Sequence, residues 1–351
     1  MGGDHAPLMV IEGLAVSATR HPGARFLLVG DQERLAPLLQ RHARAAAVCD
    51  IRHAPEVIGN DTKPTTALRV RGSSMRVAID AVAGGEASGV VSAGNTGALL
   101  ALAHIIIKTL PGIDRPAMAA IGPSARGDVV LLDLGANVQC DARNLVEFAV
   151  MGDVFARTVL GLTAPSIGLL NVGSEELKGD DTLRRAAETL RASHIAPQFA
   201  GFVEGHDIAA GTTDVVVTDG FTGNVALKTG EGALKLIGDL LRQVFRSSLT
   251  AKVAYLLLRP SLERLREWLD PRRYNGAVML GLNGVVVKSH GGTDAEGFAH
   301  AMDVAMDMVV HRFNDHIRED LARMAGLMAL AAKSGTPEKE PGGDARLATA
   351  R

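Results

Sequence analysis

Short runs of β-branched and aliphatic residues alternate along the chain with longer stretches whose apolar positions recur every three or four residues. The short runs Phe26–Val29, Gly89–Ser92, Val129–Asp133, Ile167–Asn171, Asp214–Thr218 and Gly284–Lys288 predict strands. Several are apolar at consecutive positions, as expected of strands covered on both faces in a parallel sheet. Helical spacing predicts helices over Thr66–Val82, Gly97–Lys108, Leu145–Leu160, Leu183–Ala192 and Asn224–Phe245. This rhythm predicts a three-layer α/β/α fold with a mostly parallel sheet, built as one domain over residues 1–333 without internal repeats. The tail from Ser334 to Arg351 (SGTPEKEPGGDARLATAR) has almost nothing to bury and is expected to be disordered. The opening Met1-Gly2-Gly3-Asp4-His5 is loop-type sequence, and a first strand is expected upstream of it.

Composition narrows the function. Hydrophobic residues make up 47% and charged residues 22% of the 351, an ordinary globular balance. The formal net charge of −2 offers nucleic acid no general attraction. Only Cys49 and Cys140 are present, so no disulfide framework is expected and a reducing cytoplasm fits. The longest apolar stretch, Gly97–Ile107, is interrupted by His104 and too short to span a bilayer. Any membrane contact is therefore expected to be peripheral. No metal-ligand spacing, Gly-x-Ser-x-Gly elbow, Walker loop or Gly-x-Gly-x-x-Gly fingerprint after a strand is found, so no metal, cofactor or nucleotide is expected.

The candidate chemistry lies in turns between strands and helices. Ser92-Ala93-Gly94-Asn95-Thr96-Gly97 follows a strand and opens a helix, where unpaired N–H groups favour an anion and glycines let it approach. The alternative is a plain helix cap at Asn95 or Thr96. Asp219-Gly220-Phe221-Thr222-Gly223-Asn224, Asp133-Leu134-Gly135-Ala136-Asn137 and Lys288-Ser289-His290-Gly291-Gly292 share the layout. Four such turns suggest a common crevice for an anionic substrate at the carboxyl ends of the strands. Cys140 is either an acyl-carrying nucleophile or, as free cysteines more often are, a small buried hydrophobe. His290 reads equally as an acid, base or phosphate donor and as a structural hydrogen-bonding group.

Between Leu240 and Arg273, Phe245, Leu249, Val253, Leu256 and Leu257 recur at helical spacing. Arg242, Arg246, Lys252, Arg259, Arg264, Arg266, Arg272 and Arg273 outnumber Glu263, Glu267 and Asp270, eight to three, in a chain of net charge −2. Two readings stand: a helix pair at a subunit interface, or a basic apolar tip that touches anionic lipid or an acidic carrier protein.

MGGDHAP (Met1–Pro7), SAGNTGA (Ser92–Ala98), DRPA (Asp114–Ala117) and DLGAN (Asp133–Asn137) resemble the acyl-ACP:phosphate acyltransferases of bacterial phospholipid synthesis, the PlsX family. GLLNVG (Gly168–Gly173), Lys178-Gly179, DVVVTDGFTGNVALKT (Asp214–Thr229) and LGLNGVVVKSH (Leu280–His290) continue the resemblance in the family's order. His206 stands where an arginine is usual, and Val278-Met279 replaces a more typical Pro-Leu pair. The resemblance implies an isopropylmalate-dehydrogenase-like fold related to phosphotransacetylases, a homodimer and no nucleotide cofactor. It also implies acyl carrier protein as donor, inorganic phosphate as acceptor, and delivery of the acyl phosphate to a membrane glycerol-3-phosphate acyltransferase. Lys178 and Asn224 are the residues it marks as essential.

For that chemistry the protein must supply position, oxyanion stabilisation and help for a departing thiolate, because phosphate is already ionised near neutral pH. Lys178 is expected to neutralise the phosphate or the leaving sulfur, and Asn224 to donate to the oxyanion. Ser92, Gly94, Asn95, Thr96, Asn137, Thr222, Ser289 and His290 are expected to hold phosphate or substrate. Two rival readings are an NAD(P)-linked decarboxylating hydroxyacid dehydrogenase on the same fold and a non-catalytic acyl-carrier-binding scaffold. The first lacks a nucleotide fingerprint and clustered metal-binding aspartates; the second leaves four polar turns unexplained.

Overall fold

The computed structural model describes residues 1–193 and 198–334, with side chains described as far as residue 323. Its strands are β1 (Phe26–Gly30), β2 (Cys49–His53), β3 (Gly89–Ser92), β4 (Ala117–Ser124), β5 (Gly127–Leu132), β6 (Ile167–Leu170), β7 (Phe199–Val203), β8 (Val215–Val217), β9 (Ala277–Leu280) and β10 (Val285–Lys288). Its helices are α1 (Leu8–Arg20), α2 (Gln32–Leu39), α3 (Ala43–Val48), α4 (Pro64–Ala67), α5 (Ser74–Ala83), α6 (Thr96–Ile106), α7 (Ala142–Val159), α8 (Asp181–Ala192), α9 (Gly205–Ala210), α10 (Gly220–Arg246), α11 (Leu249–Trp268), α12 (Ala295–Val310) and α13 (Phe313–Ser334).

Eight strands form one sheet in the order β3-β10-β9-β4-β5-β8-β6-β7. β3 and β10 are parallel to one another, and β5, β8, β6 and β7 form a second parallel block. β9 and β4 join the blocks through three successive antiparallel pairings, β10–β9, β9–β4 and β4–β5. Three reversals make the two blocks run in opposite directions. β1 and β2 pair separately, in parallel. A cavity of about 650 Å³ lies between β1 and β3, lined by apolar residues such as Leu14, Leu28, Met75 and Phe298 and also by Arg25, Asp50, Arg52 and Glu86, with Met1 and Gly2 at its wall.

Helices cover both faces of the sheet, as the runs of consecutive apolar residues predict. On one face α7 buries Leu145, Phe148, Met151 and Phe155 among Val130, Leu132, Val215 and Val217, and Phe155 meets Phe313 of α13 edge-on at 6.1 Å. On the other, Ile79 of α5 and Leu99 and Leu102 of α6 pack with Met279 and Val286. Aspartates set several helix starts: Asp141, Asp180, Asp219 and Asp294 each accept an N–H from the first turn of α7, α8, α10 and α12.

Four strands differ from the sequence expectation. β4 (AMAAIGPS), β7 (FAGFV) and β9 (AVML) carry alanine, glycine or methionine and lack the β-branched signature, and β2 (CDIRH) is largely polar. Their pairing partners make them strands. The helix expected over Thr66–Val82 is broken into α4 and α5, because Gly72 N–H turns to the Glu56 carboxylate at 3.0 Å and Ser73 caps a fresh start. The tail beyond Ser334, expected to be disordered, lies outside the described residues.

Candidate active site

The turns fall into two pairs at opposite edges of the sheet. Ser92 and Lys288 are register partners on β3 and β10, and the turns after them share one edge. The turns after β5 and β8 lie beside each other in the oppositely running block, so their carboxyl ends face the other edge. The single crevice expected from the sequence is therefore not formed within one chain. Strand direction, which local sequence does not encode, decides this.

At the β3–β10 edge, Asn95 caps α6: its Oδ1 accepts Ala98 N–H at 3.0 Å. Its Nδ2 faces the carbonyls of Gly59, Asn60 and Thr62 at 3.2, 2.7 and 3.0 Å, sharing its two N–H donors among them. The Asn95 side chain is thus engaged in holding the loop over residues 59–62. Gly94 N–H donates to Ser92 Oγ at 3.2 Å, and a Cβ at Gly94 would sit 2.8 Å from Met75 Cε. Thr96 is exposed, and the N–H groups of Thr96 and Gly97 have no partner among the described residues.

On the β10 side, Ser289 is buried and its Oγ accepts from Asn275 Nδ2 at 2.9 Å. Asn275 Oδ1 accepts His290 N–H at 2.8 Å, and Nδ2 also donates to the Gly297 carbonyl at 2.6 Å. Gly292 N–H donates to His290 Nδ1 at 3.2 Å, which leaves the neutral ring with its proton on Nε2, in an exposed residue. Asp4 N–H donates to the Gly291 carbonyl at 2.9 Å, and Asn60 Nδ2 donates to Asp4 Oδ1 at 3.3 Å. Asn275 escaped the sequence reading because it lies in an irregular Tyr274-Asn275-Gly276 segment, before a strand that itself carries no clear signal.

At the opposite edge Asp133 is fully buried. Its carboxylate accepts N–H groups of Met118, Gly135, Ala136 and Asn137 at 2.9, 3.2, 3.0 and 2.6 Å, and Asn137 Nδ2 at 2.9 Å. Burial raises its pKa, and the donated hydrogen bonds oppose the rise. Asn137, buried and also bonded to the Pro116 carbonyl at 2.7 Å, ties the loop together. Thr222 donates both N–H and Oγ–H to Asp219, at 2.8 and 2.7 Å, and so belongs to the α10 cap. Asn224 and Lys178 are different. Both are exposed, neither side chain has a hydrogen-bond partner among the described residues, and no carboxylate pairs with Lys178 there. Asn171 Nδ2 holds the Lys178 carbonyl at 3.1 Å and so shapes the loop that carries it.

Cys140 does not suit a nucleophile. Burial, with the Asp133 and Asp219 carboxylates, pushes its thiol up to about 12, so the thiolate is scarce near neutrality.

The basic segment forms the α10–α11 hairpin, continuous through Pro260, and α11 has no buried residue. Leu249, Val253, Leu256 and Leu257 are exposed, the last at 76%. Phe245 instead turns inward onto Tyr255, with ring centroids 5.4 Å apart. Arg242, Arg259 and Arg272 are paired with Asp239, Glu263 and Asp270, leaving fewer free cations than the sequence count implies. Among the described residues no helix is long and apolar enough to cross a membrane, and no cluster of metal-ligating side chains is present.

An α/β sheet of this topology, with donor-rich turns at its strand ends, defines a protein of the phosphotransacylase fold class. Among solved structures the chain is similar to a phosphotransacetylase from Streptococcus pyogenes, with TM-score 0.56, 20% identity, and 86% of this chain and 91% of that one covered. A branched-chain phosphotransacylase from Enterococcus faecalis V583 gives TM-score 0.53 at 15% identity, covering 88% and 96%. Residues 1–316 match the family model described as fatty acid synthesis protein. The chain is 70% identical over 351 residues to the phosphate acyltransferase of Granulibacter bethesdensis, covering all of this chain and 94% of that protein. It is 71% identical over 332 residues to that of Acidiphilium cryptum, covering 95% and 87%. The chain belongs to this fatty acid synthesis family of phosphate acyltransferases, and it is an acyltransferase.

Proposed function

We propose that the chain transfers a fatty acyl group from acyl carrier protein directly to inorganic phosphate. A phosphate oxygen attacks the thioester carbonyl carbon, the C–O bond forms, the C–S bond breaks, and the electron pair leaves on sulfur. The products are acyl phosphate and the carrier thiol. The observation that carries this reading is the character of the free groups. The Thr96 and Gly97 N–H groups, Lys178 and Asn224 are donors or a cation without partners, while the cysteine near the turns is held as a thiol. Such a set suits an anionic nucleophile that needs no base. The β3–β10 edge, with Ser92, Thr96, Ser289 and His290, holds the phosphate. Lys178 assists the departing sulfur and Asn224 donates to the oxyanion.

These two sets of residues face opposite edges of one chain. A homodimer in which different copies supply the two edges reconciles them, and the exposed apolar face of α10 and α11 supports such pairing. The same hairpin, with Leu256 and Leu257 exposed and Arg246 and Lys252 nearby, also suits peripheral contact with an anionic cytoplasmic membrane surface. A membrane glycerol-3-phosphate acyltransferase would take up the product there.

The test uses purified protein and acyl-carrier thioester with and without inorganic phosphate. Acyl phosphate and free thiol should form together, and only with phosphate present. Thiol release that ignores phosphate would make the protein a thioesterase instead.

A further inference from the structure

Lys288 ends β10 and is 9% exposed, the only buried lysine among the described residues. Its ammonium donates to the Ser289 carbonyl, which turns the side chain toward the carboxyl end of the strand. No carboxylate lies within 4.0 Å of it among the described residues, and Asp4 is the charged group whose field it feels. An ammonium has three protons to donate, and one carbonyl satisfies only one of them. A buried cation without a close counter-ion destabilises a fold, and such groups concentrate where a ligand supplies the missing charge.

The surroundings identify that ligand. Ser289 N–H donates to the Ser92 carbonyl at 2.9 Å, so Lys288 stands one strand away from the turn that opens α6. The unpartnered Thr96 and Gly97 N–H groups and exposed His290 lie at this same edge. Gly3 and Asp4 pack against Ala93 and Gly291 and close it from the side. Charges on the neighbouring helix are engaged, while Asp4, His5, Asp61 and Lys63, in the exposed loops of this edge, have no ion-pair partner among the described residues. The flanking strands β3 and β9 carry no titratable side chain. On α12, Glu296 and Asp303 pair with Arg20, with His21 and His300 beside them, while Asp307 lies near His311. Asp294, the cap of that helix, pairs with Arg272.

We infer that Lys288 is a phosphate-binding residue, its ammonium neutralising the inorganic phosphate held between the α6 N-terminus and His290. The inference rests on the reading of the β3–β10 edge as the phosphate site. Lys178, which lies at the other edge, is then free to act on the thioester sulfur.

Two consequences distinguish this role from a structural one. Burial holds the Lys288 ammonium down at about 8, against an ordinary value of 10.5. Between those values the phosphate-free fold binds fewer protons than the unfolded chain, so its stability from this group rises with pH across that window and is lower below it. Bound phosphate needs the proton, so phosphate affinity should fall as pH rises through about 8. Phosphate itself is already dianionic there, so the fall belongs to the protein.

The experiment titrates inorganic phosphate into the full-length wild type, Lys288→Met and His290→Ala, reading Tm against phosphate and the KM for each substrate. Lys288→Met should melt higher than wild type without phosphate, because an apolar chain replaces a buried charge. Its phosphate affinity should fall roughly tenfold to a hundredfold, the scale of one charged hydrogen bond, with KM for the acyl donor little changed. If folded Lys288→Met keeps its phosphate affinity while His290→Ala loses it, Lys288 is not the ligand although the edge is. If both keep it, phosphate binds elsewhere and the underlying reading fails too. Should Lys288→Met not fold, the wild-type KM for phosphate between about pH 7 and 10 decides, since a flat profile overturns the assignment.

Discussion

Gly223 lies in the first turn of α10, where the helix is seated on the loop that follows β5. A Cβ at this position would sit 1.9 Å from the Asp133 carbonyl oxygen and 2.8 Å from Thr218 Cγ2. Carbon–oxygen contacts ordinarily begin near about 3.3 Å, so helix and loop would have to part by more than 1 Å. The loop side yields little, because the Asp133 carboxylate is tied by five donated hydrogen bonds. Overpacking of this kind costs roughly 1–3 kcal/mol, and alanine in a helix returns about 1 kcal/mol over glycine. With backbone as the obstacle the upper end applies, so Gly223→Ala should be destabilised by about 2 kcal/mol. Asn224 is the next residue and moves with the helix. A displacement near 1 Å typically lowers turnover on the order of a hundredfold. Gly230 is the control: on the same helix its Cβ would meet nothing within 4 Å, and Gly230→Ala should be stabilised by roughly 0.5–1 kcal/mol. Urea melts and acyl-carrier turnover measure both effects. A Gly223→Ala protein with wild-type stability and rate would show that α10 is not seated on the Asp133 loop.

Other outcomes follow from the exposed and unpartnered groups. Asn224→Ala should keep its fold and lose about 10²–10³ in kcat, the range for one oxyanion donor, and Lys178→Ala should lose at least as much; near wild-type turnover in either would remove that residue from the mechanism. Cys140→Ala should remain active in the same assay, since its thiol is held protonated; a folded but dead variant would restore an acyl-enzyme route. Replacing Leu256 and Leu257 with glutamate should abolish sedimentation with anionic vesicles while soluble transfer persists. If gel filtration instead shows the dimer split and activity lost, the hairpin is a subunit seam, and vesicle binding by a folded, dimeric double variant would remove the membrane reading.

The pattern of the chain by itself determined the layered α/β class, because strands covered on both faces, such as Val215–Val217 and the first three residues of Val285–Lys288, are apolar at consecutive positions. It also marked the turns, whereas the pair Lys178 and Asn224 was singled out only by the family resemblance; both residues are exposed in the fold. Other site residues took on different work once their partners were visible. Asn95, Asn137 and Thr222 look like ligand donors in sequence, but their side chains are engaged by the Gly59–Thr62 carbonyls, by Asp133 and Pro116, and by Asp219. Hydrogen-bonding capacity is local, whereas its satisfaction depends on neighbours brought in from tens of residues away. Asn275 was the reverse case, inconspicuous in the chain until the fold set it beside His290, and Lys288, legible only as the start of a turn, gained its place beside Ser92 from the β3–β10 pairing. The parallel majority of the sheet was legible in the apolar runs, but the reversals at β4 and β9 were beyond local reading. Nothing within β4 or β9 announces that each runs against its neighbours, yet those reversals send one pair of turns to one edge of the sheet and the other pair to the opposite edge. Side-chain alternation and apolar runs report how a strand is covered, while the direction in which it is laid down is settled only by the long-range pairing of its backbone.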